Sequence, residues 1–341
     1  MFPPVNASAP IDPGSGQGAL APRARGLVVI SLVVLAAWAA GLSFFHYIPD
    51  DTFITLRYAR NVIRGDGFVW NPGERVEGYT NFLWLLMLAV AGKLGAPLAG
   101  AARVMSLAFS LATLALAGAA AARARERSAE GGAGGSLATL LAPLLLAVSP
   151  PFLVWSASGT EMPLFAFLLL AGFLLVDRGE RPLSAFAVLA LASLTRPEGT
   201  LFYAVAFAVL LARHPDKRAV IASGAGVAAV FLGPYAVWKW RYFHALLPNT
   251  FYAKTGPPGL MLANGARYLG RFIVAHGYLL PVGVILLRSA GRAWRSMALA
   301  IAFVAASWLV VLVLGGDWMP HFRLLLPTFP IVALLAARGV A

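Results

Sequence analysis

The residues of this chain that are best suited to chemistry lie together in one short segment. Residues 47–81 are flanked by apolar runs, yet they hold five of the fourteen acidic residues and four of the twenty-seven basic residues of a chain that is 60% hydrophobic. The segment begins with the adjacent carboxylates Asp50 and Asp51, which are followed by Arg57. An aspartate can take a proton from a hydroxyl group, and arginines beside it can hold a phosphate. The segment therefore predicts an active site with Asp50 as the general base.

A short amphipathic helix is expected to carry these residues. Residues 51–64 follow Pro49, and Gly65 can end a helix there. Asp50 or Asp51 can cap the first turn. The segment therefore predicts a helix whose N-terminus lies at the two aspartates.

The two aspartates should lie on different faces of this helix. At 3.6 residues per turn, Asp50, Arg57 and Arg64 fall on one face, whereas Asp51 points toward Tyr58. One interpretation is a capped interfacial helix with a solvated basic face. The other places Asp50 among cations that hold a phosphate, and we favour it because other acidic loops converge on the same side of the membrane.

Composition places the chain in a membrane. Its mean hydropathy is +0.77, and apolar runs alternate with short basic loops, as in polytopic helical membrane proteins. The net charge of +13 does not indicate a nucleic-acid partner, because most Lys and Arg residues fall in short loops between apolar runs. No cysteine is present, which excludes disulfides, thiolate metal sites and thiol nucleophiles. We therefore expect an all-α fold, a polytopic transmembrane helix bundle.

The apolar runs predict about ten membrane segments. They are residues 27–45, 98–122, 137–155, 161–176, both legs of a hairpin within 183–212, 219–238, 272–287, 297–314 and a last run to 337. The run 82–92 is about 16 Å long as a helix, which is too short to span, so it should lie in the interface or dip back.

This topology divides the chain into two parts. Residues 1–26 are rich in Pro, Gly, Ala and Ser and predict a disordered cytoplasmic tail. Residues 27–341 form the predicted membrane domain, whose first span is an uncleaved anchor. Because arginines precede that span, residues 46–97 should form an extracytoplasmic loop, with juxtamembrane helices and the active site.

The carboxylates are concentrated on the predicted outer side. Eight of the fourteen acidic residues fall in outer loops: Asp50, Asp51, Asp66, Glu74, Glu77, Glu161, Glu198 and Asp317. A transporter is expected to place ionisable groups near the midplane, in broken helices related by an internal repeat, and we find no repeat. The distribution favours an enzyme acting on an anionic lipid, and a transporter or flippase of a lipid-linked sugar or other anionic lipid stays the alternative.

Four stretches of the sequence resemble bacterial GT-C membrane glycosyltransferases. They are IPDDTFITLRYARNVIRGDGFVWNPGERVEGYTNFLW, LTRPEG, LPNTFYAK and GGDWMPHFR. The resemblance covers residues 27–338 and is closest to cell-wall arabinofuranosyltransferases, with a more distant likeness to protein mannosyltransferases and the lipid A aminoarabinose transferase. It implies a GT-C-like multi-pass bundle in a bacterial-type inner membrane. Such enzymes usually continue into further helices or an external domain, so we expect a C-terminally truncated member.

The resemblance also implies a reaction and its partners. Enzymes of this kind use polyprenyl-phosphate sugars as donors and place a catalytic aspartate on a juxtamembrane helix of the first outer loop. By position this maps to Asp50 and Asp51. The implied reaction transfers an arabinofuranose-like sugar or a hexose to an acceptor hydroxyl on a glycan, lipid or protein.

The chemistry of this reaction requires one base. A lipid phosphate leaves as a stable anion, so no second carboxylate must protonate it, and cations suffice to hold it. We assign the base to Asp50 and the phosphate contacts to Arg57, Lys254 and Arg323, although Arg323 could instead be an interfacial anchor. Asp51 supports the base or, with Asp50, holds a divalent cation such as Mg²⁺ or Mn²⁺, for which adjacent aspartates alone are weak evidence.

A sugar and acceptor pocket is predicted where several outer loops converge. Its polar groups are Glu77, Tyr79, Asn81, Arg196, Glu198, Asp317 and His321. Sugars are commonly held by polar groups around an aromatic wall. For Arg196 and Glu198 the alternative is a structural ion pair between neighbouring helices.

Overall fold

The computed structural model describes residues 22–43, 48–127, 134–254, 256–277 and 279–340, and side chains within 31–43, 48–124, 139–253, 256–277 and 297–337. Over these ranges the chain is helical and forms no strand. The α-helices, in chain order, are α1 Pro22–Leu42, α2 Asp50–Arg64, α3 Phe82–Lys93, α4 Leu98–Arg127, α5 Gly134–Ala147, α6 Pro150–Ser156, α7 Met162–Arg178, α8 Pro182–Thr195, α9 Gly199–Arg213, α10 Lys217–Val227, α11 Gly233–Phe243, α12 Asn249–Lys254, α13 Pro258–Ala275, α14 Leu279–Leu314 and α15 Phe329–Val340. The all-α prediction is confirmed.

Three helical stretches of the described chain are long and apolar enough to cross a membrane. They are Leu98–Ala124, Lys217–Phe243 and Met297–Leu314. The second joins α10 and α11 through a π-helical turn at Ala228–Leu232. Shorter apolar helices, among them α8 and α9, accompany these spans. The described helices are therefore those of a membrane protein. The count of about ten membrane segments stays a prediction.

The predicted span 137–155 is broken in the structure. Helices α5 and α6 meet at an angle of 63°. The sequence between them runs Ser149-Pro150-Pro151, and a proline has no backbone N–H to continue the helix and restricts the residue before it. After the break, α6 packs against α1, α4 and α7.

The predicted segment 297–314 is present as a candidate span, whereas the predicted segment 272–287 is divided between the end of α13 and the start of α14. Helix α14 runs without interruption through 36 residues. Arginine is a good helix former, so Arg288, Arg292 and Arg295 do not break it. Because a continuous helix cannot reverse its direction, the predicted inward and outward crossings around these arginines are wrong.

Short elements around the first outer loop follow the sequence more closely. Helix α2 ends at Gly65, which adopts a left-handed conformation with φ 89°. Helix α3 has 12 residues and is about 18 Å long, as expected for a segment that does not span. The hairpin is present as α8 and α9, which pack on each other. A β-carbon on Gly199 would lie 2.5 Å from backbone atoms of α8, so a glycine is required where the second leg begins.

The core surrounds α7, which is buried along most of its length and packs against α4, α8 and α9. Its N-terminus points at the loops that carry the polar residues described below. The predicted tail lies mostly outside the described residues, which begin at Pro22, and residues 22–26 belong to α1.

Candidate active site

Side chains from five separate parts of the chain meet in a buried polar cluster, which we call the charge network. It comprises Asp51, Thr55, Asn81, Glu161, Arg196, Glu198, Asp317 and Arg323. They come from α2, the residue before α3, the residue before α7, the tip of the α8–α9 hairpin, and the loop after α14. Four of the eight carboxylates that were predicted to converge are thus brought together, and their location on the outer side of the membrane stays a prediction.

Arg323 is the centre of one half of the network. Its Nη1 donates to Asp51 Oδ2 at 2.6 Å, its Nε to Asp317 Oδ2 at 2.7 Å and its Nη2 to Asp317 Oδ1 at 3.2 Å. The guanidinium also lies 5.5 Å from the ring centroid of Trp155. Arg323 is only 6% exposed. It is therefore a fixed connection between α2 and the loop after α14, and an interfacial anchor reaching toward lipid headgroups does not describe it.

Arg196 is the centre of the other half. Its Nη1 donates to Glu161 Oε1 at 2.5 Å and its Nη2 to Glu198 Oε1 at 2.7 Å. Glu161 in turn accepts a hydrogen bond from Asn81 Nδ2 at 2.9 Å, and Asn81 also donates to the hydroxyl of Thr55 at 3.0 Å. This chain of contacts joins the hairpin tip to α2, and it matches the structural ion pair considered for Arg196 and Glu198.

Carboxylates outnumber cations in the network. Four carboxylates face two guanidinium groups. Within the part of the chain that the structure describes, Glu198 Oε2 has no hydrogen-bond partner, and a cavity of about 10 Å³, close to the size that one water needs, is lined by Arg196 and Glu198. No group of three or more His, Cys, Asp or Glu side chains among the described residues could hold a metal ion. The divalent cation between Asp50 and Asp51 stays a prediction.

Asp50 and Asp51 have different surroundings although they are adjacent. Asp51 is bound to Arg323, whereas Asp50 is exposed and forms no ion pair with another described residue. Asp50 Oδ1 accepts a hydrogen bond from the Asp51 amide at 3.0 Å. Pro49, and neither aspartate, occupies the N-cap position of α2, so the predicted capping is wrong. The result is one carboxylate fixed by an ion pair beside one that is exposed.

The predicted phosphate ligands are not gathered at one point. Arg57 donates to Trp70 O at 2.9 Å and to Asn71 Oδ1 at 2.8 Å, and its guanidinium lies 4.2 Å from the Trp70 ring centroid. It holds the first outer loop against α2 in this structure. Lys254 ends α12, and its side chain lies outside the described residues. His321 is exposed, in the same loop as Arg323.

Glu77 and Tyr79 lie in a second cluster, apart from Asn81. We call it the aromatic cluster, and its rings belong to Tyr58, Phe68, Trp70, Tyr79, Phe82, Tyr235, Trp238, Tyr242 and Phe243. Glu77 Oε2 lies 2.8 Å from Lys239 Nζ, and its backbone oxygen accepts a hydrogen bond from the Asn249 amide at 2.9 Å. Burial raises the pKa of Glu77, and the hydrogen bond and charge of Lys239 oppose that rise. The single pocket predicted for Glu77, Tyr79 and Asn81 is therefore divided between two clusters.

Two charged residues of these clusters were not among the predicted site residues. Glu161 was placed in an outer loop but given no role, and Lys239 directly follows the predicted span 219–238 although it is 7% exposed within α11. Both left a signal in the sequence. Glu161 is a lone carboxylate at the start of an apolar run, and Lys239 follows Tyr235 and Trp238 on one helical face.

An apolar cavity of about 270 Å³ lies within the helix bundle. It lies between α5, α13, α14 and α15, and its lining includes Phe272, His276, Trp308 and Phe329. Leu325, two positions after Arg323, also lines it. A narrow apolar chain could therefore extend from the region of Arg323 into the bundle.

No known family model matches the chain. It is 29% identical to the terminal beta-(1->2)-arabinofuranosyltransferase of Mycobacterium tuberculosis, with 92% of this chain and 55% of the relative aligned. It is 26% identical to the protein of the same name in Corynebacterium glutamicum, with 87% of this chain and 50% of the relative aligned. The chain thus spans about half the length of the curated relatives it matches.

The fold is similar to that of ArnT from Cupriavidus metallidurans. The crystal structure of ArnT bound to undecaprenyl phosphate has a TM-score of 0.62 and 17% identity, covering 94% of this chain and 60% of ArnT. The apo structure gives the same TM-score and identity over 93% of this chain and 60% of ArnT. The GT-C-like fold and the resemblance to arabinofuranosyltransferases are confirmed.

Proposed function

We propose that this chain carries the catalytic membrane domain of a glycosyltransferase, which transfers a sugar from a polyprenyl-phosphate donor to an acceptor hydroxyl at the extracytoplasmic face. The observation that carries the proposal is the division between Asp50 and Asp51. One carboxylate is free and exposed, and its neighbour is fixed by Arg323. A single-displacement transfer from a phosphate needs such a free base next to a rigid support.

The reaction balances with one protein base. Asp50 takes the proton of the acceptor hydroxyl while the acceptor oxygen forms a bond to the anomeric carbon of the donor. The bond between that carbon and the phosphate oxygen breaks, and the lipid phosphate leaves with the electron pair. Because the phosphate is a stable anion, no general acid is required. Asp51 fixes the start of α2 and with it the position of Asp50.

Arg323 is suited to hold the departing phosphate without leaving its carboxylates. A guanidinium has five N–H donors, and three hydrogen bonds to Asp51 and Asp317 engage three of them. The remaining donors can reach an oxygen of the phosphate. Preorganised cations that meet developing negative charge are the usual source of such stabilisation. Lys254 is the second proposed phosphate ligand.

The apolar cavity is the proposed site for the first isoprene units of the donor. Leu325, two positions after Arg323, is among its lining residues, which supports the proposal that a lipid whose phosphate contacts Arg323 extends into it. ArnT, which shares the fold, was crystallised with undecaprenyl phosphate. The relatives named as arabinofuranosyltransferases favour arabinofuranose as the sugar and a glycan as the acceptor.

A transfer assay in detergent tests the proposal. Purified protein is given undecaprenyl-phosphate arabinofuranose and an arabinose oligosaccharide, and release of undecaprenyl phosphate is measured. We expect turnover without any ion gradient, and loss of turnover in Asp50→Asn but not in Asp66→Asn, an exposed carboxylate next to the end of α2. Absence of transfer, together with gradient-driven accumulation of the donor in sealed vesicles, would favour the transporter instead.

The side of the membrane is tested separately by thiol labelling. The chain has no cysteine, so single introduced thiols have no background. An impermeant reagent added outside should label Asp66→Cys and spare Ser128→Cys. The opposite pattern would place the proposed active site in the cytoplasm.

A further inference from the structure

The loop that carries Asp317 and Arg323 has an unusual backbone. His321 has φ 57° and Phe322 has φ 52°, so two consecutive residues other than glycine lie in the left-handed region. Residues other than glycine rarely adopt this backbone conformation, and it persists only where the surrounding structure determines it. The surroundings of Phe322 therefore decide where the next residue, Arg323, is placed.

Helix α13 supplies those surroundings. The ring of Phe322 packs edge-on against Tyr268 at 5.3 Å, Phe272 at 5.4 Å and His276 at 5.4 Å between ring centroids. The same loop also approaches α13 at Gly316, where an added β-carbon would lie 2.9 Å from the Tyr268 side chain. The loop is thus clamped onto α13 on both sides of Asp317.

Two of the three rings around Phe322 also face the apolar cavity. Phe272 and His276 line it, together with Phe329, which packs at 5.7 Å from Phe272 and 5.6 Å from His276. An empty apolar cavity leaves its lining side chains without contacts on one side. A chain that fills the cavity gives these rings contacts on both sides, and this restricts the positions they can offer to Phe322.

We propose that Phe322 is a positioning residue that makes the placement of Arg323 depend on what occupies the apolar cavity. The proposal rests on the proposed function and adds that the isoprenoid tail of the donor takes part in catalysis as well as in binding. With the cavity filled, Phe272 and His276 hold Phe322, the left-handed backbone is maintained, and Arg323 keeps Asp51 in place. Because coupling is reciprocal, correct placement of Arg323 also favours the bound tail.

The test compares two donors that share sugar and phosphate but differ in the tail. The undecaprenyl tail is long enough to fill the cavity, whereas the short geranyl tail occupies only part of it. We expect wild-type protein to show a kcat about tenfold higher with the undecaprenyl donor, within the range of couplings of this type. In Phe322→Ala the kcat with the undecaprenyl donor should fall to the level of the kcat with the geranyl donor. The kcat with the geranyl donor should change little from its wild-type value.

Val332→Ala is the matched control. It removes apolar volume from the same cavity, but Val332 lies on α15 and is not one of the residues whose rings pack against Phe322. We expect a raised KM for the undecaprenyl donor with kcat maintained. If Phe322→Ala fails to fold, Phe322→Leu replaces it, because leucine keeps apolar volume without the ring. The ratio of kcat with the undecaprenyl donor to kcat with the geranyl donor then tests the coupling in the same way.

The outcomes separate this inference from the function on which it rests. An unchanged ratio of the two kcat values in the Phe322 variants would exclude the coupling. If both kcat values also fell equally, Phe322 would be a merely structural residue. In either case transfer itself is established. Failure of the wild-type protein to transfer from either donor would instead overturn the proposed function.

Discussion

The charge network and the aromatic cluster both fasten the first outer loop to the helix bundle, but they do so with different chemistry. In the aromatic cluster one carboxylate, Glu77, meets one amine, Lys239, and rings surround the pair. In the charge network four carboxylates meet two guanidinium groups, and the exposed Asp50 lies beside them. In the first arrangement the buried pair is balanced in charge, and two exposed guanidinium groups lie over outer rings of the cluster. The second arrangement has an excess of proton and cation acceptors.

From this difference we infer that the charge network takes part in the reaction and that the aromatic cluster is structural. A buried pair of equal and opposite charges holds a loop but offers nothing to a substrate. An excess of carboxylates is unfavourable for stability and is typical of sites where charge is used in a reaction. Changes in the charge network should therefore act on turnover, and changes in the aromatic cluster should act on stability.

The largest expected effect is that of Asp50→Asn on turnover. The substitution removes the proposed base from an exposed position that contributes no ion pair, so kcat should fall by about 10² to 10⁴. Donor affinity and the melting temperature in detergent should change little. Asp51→Asn should cost less, and added Mg²⁺ or Mn²⁺ would partly rescue it if a metal is bound. Full turnover in both variants would remove the catalytic interpretation of this segment.

Lys239→Met should lower stability and leave turnover largely unchanged, the reverse of the effect expected for Asp50→Asn. It leaves Glu77, which is 3% exposed, without its charged partner, and breaking such a pair typically destabilises by about 3–5 kcal/mol. The folded fraction should retain most of its turnover. Unfolding in denaturant gives the loss of stability, and transfer per folded molecule gives the turnover of the folded fraction. The double variant Glu77→Leu/Lys239→Met should recover much of the stability, and a failure to recover would mean that the pair does more than hold the loop.

The same variant should show a defined pH dependence. Burial already raises the pKa of Glu77 and Lys239 opposes that rise, so loss of the amine raises the pKa further. A folded-state pKa above the unfolded value means that the folded protein binds the proton more tightly. Stability of Lys239→Met should therefore be greatest at acid pH and fall as the pH rises from about 4.5, the ordinary pKa of Glu, through the raised value. Stability that increases with pH in this window would contradict the assignment.

Arg196→Gln tests whether the two halves of the charge network differ. Arg196 is 8% exposed and connects Glu161 with Glu198, so its loss leaves buried carboxylates and should lower the melting temperature. Because the hairpin tip also faces the cluster that holds Asp51, donor binding should weaken as well. Normal donor affinity with a large loss of melting temperature would assign Arg196 to structure alone.

The smallest expected effect is that of Arg57→Ala. Its guanidinium contacts the Trp70 ring and two acceptors of the first outer loop, and at an exposed site such contacts contribute about 0.5–1 kcal/mol. We expect this small loss of stability with an unchanged Kd for the donor. A clear rise in the Kd would restore the phosphate-binding role that the sequence predicted for Arg57.

Local features of the sequence determined local features of the structure. Helix α2, its end at Gly65, the short α3 and both legs of the hairpin follow from apolar periodicity, glycine and proline, which act within a few residues. Local patterns predicted the wrong helix boundaries where an apolar run also contained prolines or arginines. The prolines at 150 and 151 were overlooked within an apolar run, and three arginines were given enough weight to divide the continuous α14.

Tertiary packing alone decided which charged groups are free. Arg323 meets Asp51 across 272 positions of the chain, and Lys239, which lies just past the predicted span 219–238, reaches Glu77 from within α11. The sequence by itself determined a helical membrane protein, predicted that its carboxylates collect at one side, and singled out the Asp50-Asp51 segment, because hydropathy and residue type are properties of single positions. Which aspartate is bound and which is exposed depends on partners brought from distant loops by helix packing, and no local pattern contains that information.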